Sequence, residues 1–488
     1  MDYTGIKALI MGLGLHGGGL ETACFLLKQG ADVAVTDLRD GKTLAPAIEH
    51  LDRICRGLGR KQVRYVLGKH EIDDFKNADI VIKNPGVRPD SPYLLVSKRI
   101  ETDLSLFLSK SPARLFAVTG SKGKSSTASA LHWILKTDRK KGKAYLGGNI
   151  TISPLTFLEE LSEDDDVVLE LSSFQLGDLK NHTDSEGNKL LKPKAAVLTS
   201  ILPDHLDRYF SMDEYVDDKK NIYRGQDISC ITVASDDMWG RRFLSETKGR
   251  PLTASQNQLS DGINGGWISA EGAGLAKVYD WDFGSGARRG PPETAELVPE
   301  HLLTFGNHQR YNMLSAALAV YGLGVKPEDI KNALASFPGI EHRLEFFHEA
   351  NEVRYYNDSA ATIPQAAAAC VEALSANSPL ILVTGGTDKN LSFTALAQAA
   401  KKAKEVILLA GSGSEKLRPL LAEMGISFKG FFDNLDEAVI CAVNRAEKGD
   451  NVALSPGCAS FEMFLNEFDR GRKWKDAVLR ITNGKLKI

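Results

Sequence analysis

Paired cysteines are missing from this chain. Cys24, Cys55, Cys230, Cys370, Cys441 and Cys458 are scattered, with no CxxC pair and no zinc spacing. A disulfide scaffold and a structural zinc site are thereby excluded, and reduced, mostly buried thiols of a cytoplasmic protein are expected. No apolar run approaches the ~20 residues of a membrane span, so none is expected. The first apolar stretch, Ala8 to Leu15, is broken by glycines and has no cleavage-site pattern. It reads as a strand and not as a signal peptide. An excess of either charge is also absent. A net charge of −3 predicts neither nucleic-acid nor membrane binding through bulk electrostatics. No internal repeat is found. At 488 residues the chain is too long for one core, and about two to four domains are expected.

The most informative stretch that is present runs from Leu115 to Ser126. An apolar run ends at Thr119, a glycine turn carries Lys124 and Ser125, and an apolar-periodic segment follows to Leu135. Strand, glycine loop and helix start, in that order, make an anion cradle. Glycines let backbone N–H groups approach phosphate oxygens, and the helix N-terminus adds partial positive charge. Lys124 would reach the terminal phosphates of a nucleotide, and Ser125 would ligate Mg²⁺. The match is partial, because Val118 stands where a full phosphate loop has another glycine.

Residues 1–110 alternate short apolar runs with helical patterns. Lys7–Met11, Asp32–Thr36 and Asp79–Lys83 read as buried parallel strands. The first runs into Gly12-Leu-Gly-Leu-His-Gly-Gly-Gly19, and Asp37 ends the second. Glycines under a diphosphate, with an acid about 20 residues further on, are the layout of a dinucleotide-type site. Asp37 could hold a ribose hydroxyl or contact a base. Without a diphosphate ligand the same glycines would be an ordinary strand–helix turn.

Residues 111–340 hold most of the charged candidates. Glu170 interrupts the apolar strand Val167–Leu171, where a carboxylate is costly unless it meets a metal or a cation. Its alternative is a strand-end acid facing water. Ala195–Ser200 reads as the next strand, and Pro203-Asp-His-Leu-Asp207 follows it. His205 thus lies past a strand's carboxyl end, where open α/β sheets bind ligands. With Glu170 it would make a Mg²⁺ pair beside the phosphate loop, or the two could be strand-end coincidences. Gln256 to Pro299, with Trp267 and Trp281, reads as short strands and surface loops. Residues 341–488 form another α/β unit, with strands at Val353–Tyr356, Leu380–Thr384, Val406–Ala410 and Asn451–Leu454.

Read together, five strings occur in an order that resembles the Mur ligases. They are the phosphate loop, Glu170-Leu-Ser-Ser-Phe-Gln-Leu176, Asp204-His-Leu-Asp-Arg-Tyr209, His342-Arg343 and Asn357-Asp-Ser-Ala-Ala-Thr362. Gly385-Gly-Thr-Asp-Lys389 and Leu454-Ser-Pro-Gly-Cys-Ala-Ser-Phe461 add to it, and the match spans nearly the whole chain. The resemblance implies an α/β protein of three domains. Residues 1–110 would be a Rossmann-like domain for a UDP-linked substrate, 111–340 a central ATPase domain, and 341–488 a Rossmann-like amino-acid domain. It implies an ATP-dependent amide ligase adding D-glutamate to UDP-N-acetylmuramoyl-L-alanine through an acyl phosphate, with two Mg²⁺ ions, in a cytoplasmic monomer.

The same resemblance assigns residues. Leu15, His16, Asp37, Arg39, Asn84, Gly86 and Asn149 match contacts to the UDP-substrate. Gly120, Ser121, Lys122, Gly123, Lys124, Ser125, Ser126, Gln309, Asn312, Arg343 and Asp358 match contacts to ATP. Thr362, Lys389, Ser460 and Phe461 match the D-glutamate pocket. Ser125 and Glu170 would hold one metal, and His205 with a carbamylated Lys219 the other. Lys220 is the alternative to Lys219 if the register of Tyr215–Tyr223 slips by one. The chain departs from the family pattern at Ser121-Lys122, at Leu198–Pro203, at Gln309 and Ala360, at Glu467-Phe468, and in an insertion at Asn181–Lys192. Two other classes remain open to the residues alone: a nicotinamide-dependent oxidoreductase using Gly12–Gly17 and Asp37, and a non-catalytic nucleotide-binding regulator.

Overall fold

The computed structural model describes residues 3–14, 17–138, 142–149, 152–206, 208–279, 293–304, 306–376 and 378–484. They pack as two units, Met1–Glu300 with Arg310–Leu334, and His301–Gln309 with Ala335–Ile488.

The first unit holds two sheets. Its N-terminal sheet has five parallel strands in the order Arg64–Leu67, Asp32–Asp37, Lys7–Met11, Ile80–Lys83, Ile100–Glu101. Leu9, Ile10 and Met11 are buried, as a central parallel strand covered on both faces requires. The helix Gly41–Gly57 starts where Asp40 accepts a hydrogen bond from Thr43 N at 2.8 Å. Its residues Leu44, Ala47, Leu51 and Cys55 recur at helical spacing and form its buried face. Strand order reverses at Lys7–Met11, so a ligand crevice opens past its carboxyl end. The glycine loop lies there. Gly19 is required by close approach, since a Cβ would sit 2.2 Å from Gly12 O.

The second sheet of this unit has nine strands. From one edge they run Ala144–Gly148, Asp166–Glu170, Arg114–Thr119, Ala195–Leu198, Ile231–Ser235, Arg250–Ser255, Gly265–Ile268, Gly274–Lys277 and Ala295–Val298. The last two junctions are antiparallel and the rest parallel. Within Gln256–Pro299, the described residues extend the sheet by three short strands, Gly265–Ile268, Gly274–Lys277 and Ala295–Val298. Residues 280–292, Trp281 among them, lie outside the described residues.

The second unit has one six-stranded sheet, in the order Glu345–Ala350, Val353–Asn357, Asn451–Leu454, Leu380–Thr384, Glu405–Leu409, Lys429–Phe432. It is parallel except for its first pair. Leu380 and Leu382 enter one apolar cluster while Ile381 and Val383 enter another, so both faces are covered. The final helix, Glu467–Thr482, buries Trp474, whose indole N–H donates to Tyr356 O at 3.0 Å.

All six cysteines are unbridged, and only Cys441 is partly exposed. No helix among the described residues is long and apolar enough to cross a membrane.

The Asn181–Lys192 segment, expected to be an insertion, is tied to the N-terminal sheet. The His182 ring lies 3.2 Å from Ile100 O and 3.4 Å from the Glu101 carboxylate. The hydrogen bond to Glu101 holds His182 above its usual range. Burial alone would raise Glu101, but hydrogen bonds from His182, Ser105 and Arg99 outweigh it and bring it to about 2. The fold therefore favours protonated His182. Its contribution is complete below the ordinary imidazole value of about 6.5, and is lost as pH rises through the higher folded value. We predict that His182→Gln costs about 1.5–3 kcal/mol near pH 5.5 and clearly less near pH 9. Denaturant unfolding at both pH values checks this, and an equal loss at both would assign the effect to packing.

Candidate active site

The phosphate loop follows the strand Arg114–Thr119 and enters the helix Lys124–Asp138. Its glycines are demanded by geometry. Gly120 has φ 149° and a Cβ there would lie 1.8 Å from Thr199 Oγ1, while Gly123 has φ 87° and a Cβ would lie 2.5 Å from Asn312 Oδ1. Asn312 therefore rests directly against the loop. Thr199 Oγ1 donates to Lys122 O at 2.6 Å, and Ser121 Oγ bonds Leu202 O at 2.9 Å and the Tyr215 hydroxyl at 2.8 Å. Ser121 thus fastens the loop to the segment that leads to His205. Lys124 Nζ folds back onto Gly120 O and Ser121 O, both at 3.0 Å. Burial lowers its pKa, against the pull of Glu170 and Asp204.

Lys219 comes to the same carbonyl. Its Nζ lies 2.9 Å from Gly120 O, 3.5 Å from Thr119 Oγ1 and 4.5 Å above the Tyr215 ring. Burial first, and Lys124 second, push its amine down to about 7. Lys220 faces elsewhere and is paired with Glu246 at 2.7 Å.

Glu170 ends its strand in register with Val118 on one side and Gly148 on the other. It is 2% exposed, which rules out a water-facing acid. Oε1 accepts from Asn149 Nδ2 at 3.0 Å, whereas Oε2 is buried and has no partner among the described residues. A buried carboxylate oxygen without a donor is costly, and a divalent cation would satisfy it. His205 has a positive φ of 55°, and its ring lies 4.8 Å from that of Phe174. Ser125 sits one residue into the helix.

Of the positions matched to the UDP-substrate, Asp37, Arg39, Asn84 and Gly86 lie at or just past the carboxyl ends of strands in the N-terminal sheet. Asp37 is buried, with its carboxylate accepting from Arg39 N at 2.9 Å and Gly14 N at 3.3 Å. Asn84 Oδ1 accepts from Gly86 N at 2.9 Å. Asn84 and Asn149 line one cavity of about 200 Å³, together with Gly12, Gly19 and Gln175. Leu15 and His16 lie outside the described residues.

In the second unit, Asp358 accepts from Leu344 N at 3.1 Å and from Ser455 Oγ at 2.6 Å. Burial raises its carboxyl to about 6. Arg343 and Lys389 are exposed, as is Phe461, and Thr362 is half-buried. Asp388 is paired with Lys416, and Lys389 makes no ion pair among the described residues. Ser460 Oγ is buried without a partner among the described residues. Gln309 N donates to Gly306 O at the start of its helix.

Two supports escaped the sequence reading. Thr199 pins the phosphate loop, and as part of the expected strand Ala195–Ser200 it carried no signal of its own. Arg470 is fully buried and donates to Ser359 O at 2.9 Å and to Cys458 O and Ala459 O, both at 3.2 Å. It sits inside a helix, where nothing local marks it.

Parallel α/β sheets with a phosphate loop at one carboxyl edge define a nucleotide-binding protein. Comparison with known proteins narrows this. Three family models match in order: the Mur ligase MurD-like N-terminal domain over residues 6–103, the Mur ligase middle domain over 118–320, and the Mur ligase glutamate ligase domain over 342–458. The chain belongs to the Mur ligase family. Relatives named UDP-N-acetylmuramoylalanine--D-glutamate ligase include that of Treponema pallidum, 37% identical over 97% of both chains. That of Borreliella burgdorferi is 38% identical over 98% of both. That of Roseiflexus sp. is 37% identical over 99% of this chain and all of its own. Among solved structures, the UDP-N-acetylmuramate-alanine ligase MurC of Thermotoga maritima has a TM-score of 0.53 at 19% identity, covering 98% of this chain and 100% of its own. The MurF ligase of that organism, in complex with ADP, has a TM-score of 0.51 at 19% identity, covering 99% and 96%. These two share the fold.

Proposed function

We propose that this chain is an ATP-dependent ligase joining D-glutamate to UDP-N-acetylmuramoyl-L-alanine, in the supply of peptidoglycan precursors. The observation that carries the catalytic assignment is the convergence of Lys124 and Lys219 on Gly120 O, at 3.0 and 2.9 Å. Two ammonium groups on one carbonyl repel each other, so the more buried Lys219 is the one that gives up its proton. A neutral amine is the form that adds CO₂, releasing a proton and leaving a carbamate. That anion beside Lys124 turns repulsion into attraction and supplies oxygen donors for a metal.

The donor set fits two Mg²⁺ ions. Ser125 and Glu170, with its unpartnered oxygen, would hold one, and His205 with the carbamate of Lys219 the other. Bound there, magnesium would neutralise charge on the phosphoryl group that passes from ATP to the substrate carboxylate.

The rest follows from the chain's own groups. A carboxylate is a poor acyl donor, and its phosphorylation creates a leaving group. Loop N–H groups from Gly120 to Ser126 cradle the phosphates of ATP, and Lys124 neutralises the transferring group. Asn312, which rests against the loop, would add to the ATP contacts, and Gln309, Arg343 and Asp358 are the further positions that the family resemblance assigns to ATP. Asp37, Arg39, Asn84, Gly86 and Asn149 hold the UDP-substrate. Lys389, Thr362, Ser460 and Phe461 take D-glutamate, whose neutral amine attacks the acyl phosphate and expels phosphate. The buried Ser460 hydroxyl, unpartnered among the described residues, and the exposed Lys389 ammonium suit its carboxylates. The test is phosphate release from ATP with UDP-N-acetylmuramoyl-L-alanine, scanning amino acids as second substrate. A preference for lysine or diaminopimelate over D-glutamate would overturn the assignment.

Lys389→Ala is expected to raise the KM for D-glutamate about 10- to 150-fold, the worth of one charged hydrogen bond. The KM for ATP should stay within about threefold, since the two pockets use different residues. Lys389→Arg should rescue only partly, because a planar fork does not replace a compact ammonium. Initial-rate kinetics with each substrate varied checks all three.

A further inference from the structure

We propose that Arg208 is a positioning residue that couples the UDP-substrate loop, Asn84 to Val87, to the segment carrying His205. The proposal rests on the functional reading above.

Arg208 joins four features at once. Its guanidinium donates to Gly86 O at 2.8 Å and to Val87 O at 2.9 Å. It stacks on the Phe174 ring at 3.8 Å. The His205 ring packs on the same phenylalanine at 4.8 Å. Arg208 N also donates to His205 O at 2.9 Å, closing the turn that holds the imidazole at its positive φ. A planar fork is required here. Two N–H groups reach consecutive carbonyls while the guanidinium carbon sits 3.8 Å from the ring centre, and an ammonium can do one or the other but not both.

The loop it grips is a substrate loop. Asn84 lines the cavity beside Gly12 and Asn149, and its Oδ1 is committed to Gly86 N. Any shift of Asn84 toward a diphosphate therefore moves Gly86, and Gly86 moves Arg208. The far end of the linkage is His205, which must be placed before phosphoryl transfer.

Simple docking of the two sheets does not need Arg208. Lys83 and Asp178 already join them by a buried pair at 2.6 Å, and His182 with Glu101 makes a second tie. A residue that is redundant for docking, yet forked onto the substrate loop and stacked beside a metal-ligand candidate, is placed to transmit position.

The test uses the full chain, with Arg208→Ala and Arg208→Lys. Binding of UDP-N-acetylmuramoyl-L-alanine is measured by calorimetry without ATP or Mg²⁺, alongside steady-state kinetics and thermal unfolding. We expect both variants to weaken UDP-substrate binding about tenfold or more, the loss of a charged two-point contact. Half-maximal activity should require several-fold more Mg²⁺, with the KM for ATP within about threefold and unfolding little changed. Arg208→Lys should rescue neither parameter. UDP-substrate binding within about twofold of wild type in Arg208→Lys, or a parallel fall in ATP affinity and unfolding temperature in both variants, would overturn the proposal. Absence of UDP-substrate binding in the wild type would instead sink the functional reading itself.

Discussion

Lys219→Ala is expected to lose about 100- to 1,000-fold or more in kcat, the size of effect seen when a preorganised charge-stabilising group is removed at a reacting centre. The buried amine lies 2.9 Å from Gly120 O, beside Lys124. As an ammonium it would repel any cation at Glu170 and His205, and as a carbamate it would attract one. Small carboxylates such as formate or acetate should therefore restore part of the activity of the alanine variant, because they can occupy the vacated volume as anions. Lys220→Ala should stay near wild type, since Lys220 is spent on Glu246. Rate assays with and without added carboxylate decide it. A fully active Lys219→Ala beside an inactive Lys220→Ala would move the carbamate by one position.

Lys124→Ala should be as severe and differ in kind. It removes the ammonium that bonds both Gly120 O and Ser121 O. Loss of a charge that serves the transferring phosphoryl group costs about 1,000-fold or more in kcat. The N-terminal sheet does not depend on this side chain, so the Kd for the UDP-substrate should remain within about twofold. Calorimetry measures the second quantity independently of turnover. If UDP-substrate binding disappears with Lys124, the division of labour between the two sheets of the first unit is wrong.

The two predictions draw differently on the primary structure. Lys124 was legible at once, because a phosphate loop is a local device: strand, glycines, lysine and helix start are contiguous. The strands Lys7–Met11, Leu380–Thr384 and Asn451–Leu454 were legible for the same reason, each having three or four consecutive apolar residues with one polar residue at an end. Edge and polar strands were not. Arg64–Leu67 and Ile100–Glu101 carry charges and little apolar length, and Ile231–Ser235 is built from Thr, Ala and Ser as much as from Ile and Val. Such segments become strands through the partner beside them, which a local pattern does not contain.

The same division runs through the site. Glu170 was legible as an anomaly, since a carboxylate in an apolar run needs a reason. Whether it faced water depended on burial, and at 2% exposure, with Oε2 unpartnered among the described residues, it does not. Lys219 and Lys220 are adjacent, both basic and both in one helix, so register alone left them as alternatives. Helical geometry points them in different directions, one at Gly120 and one at Glu246. Residue types and their order thus determined the α/β class, the phosphate loop and the family. Which lysine is buried against Gly120, which oxygen of Glu170 lacks a partner among the described residues, and which arginine bridges Phe174 and Gly86 were decided only by tertiary structure. Each depends on desolvation and on groups brought within hydrogen-bond distance from far along the chain.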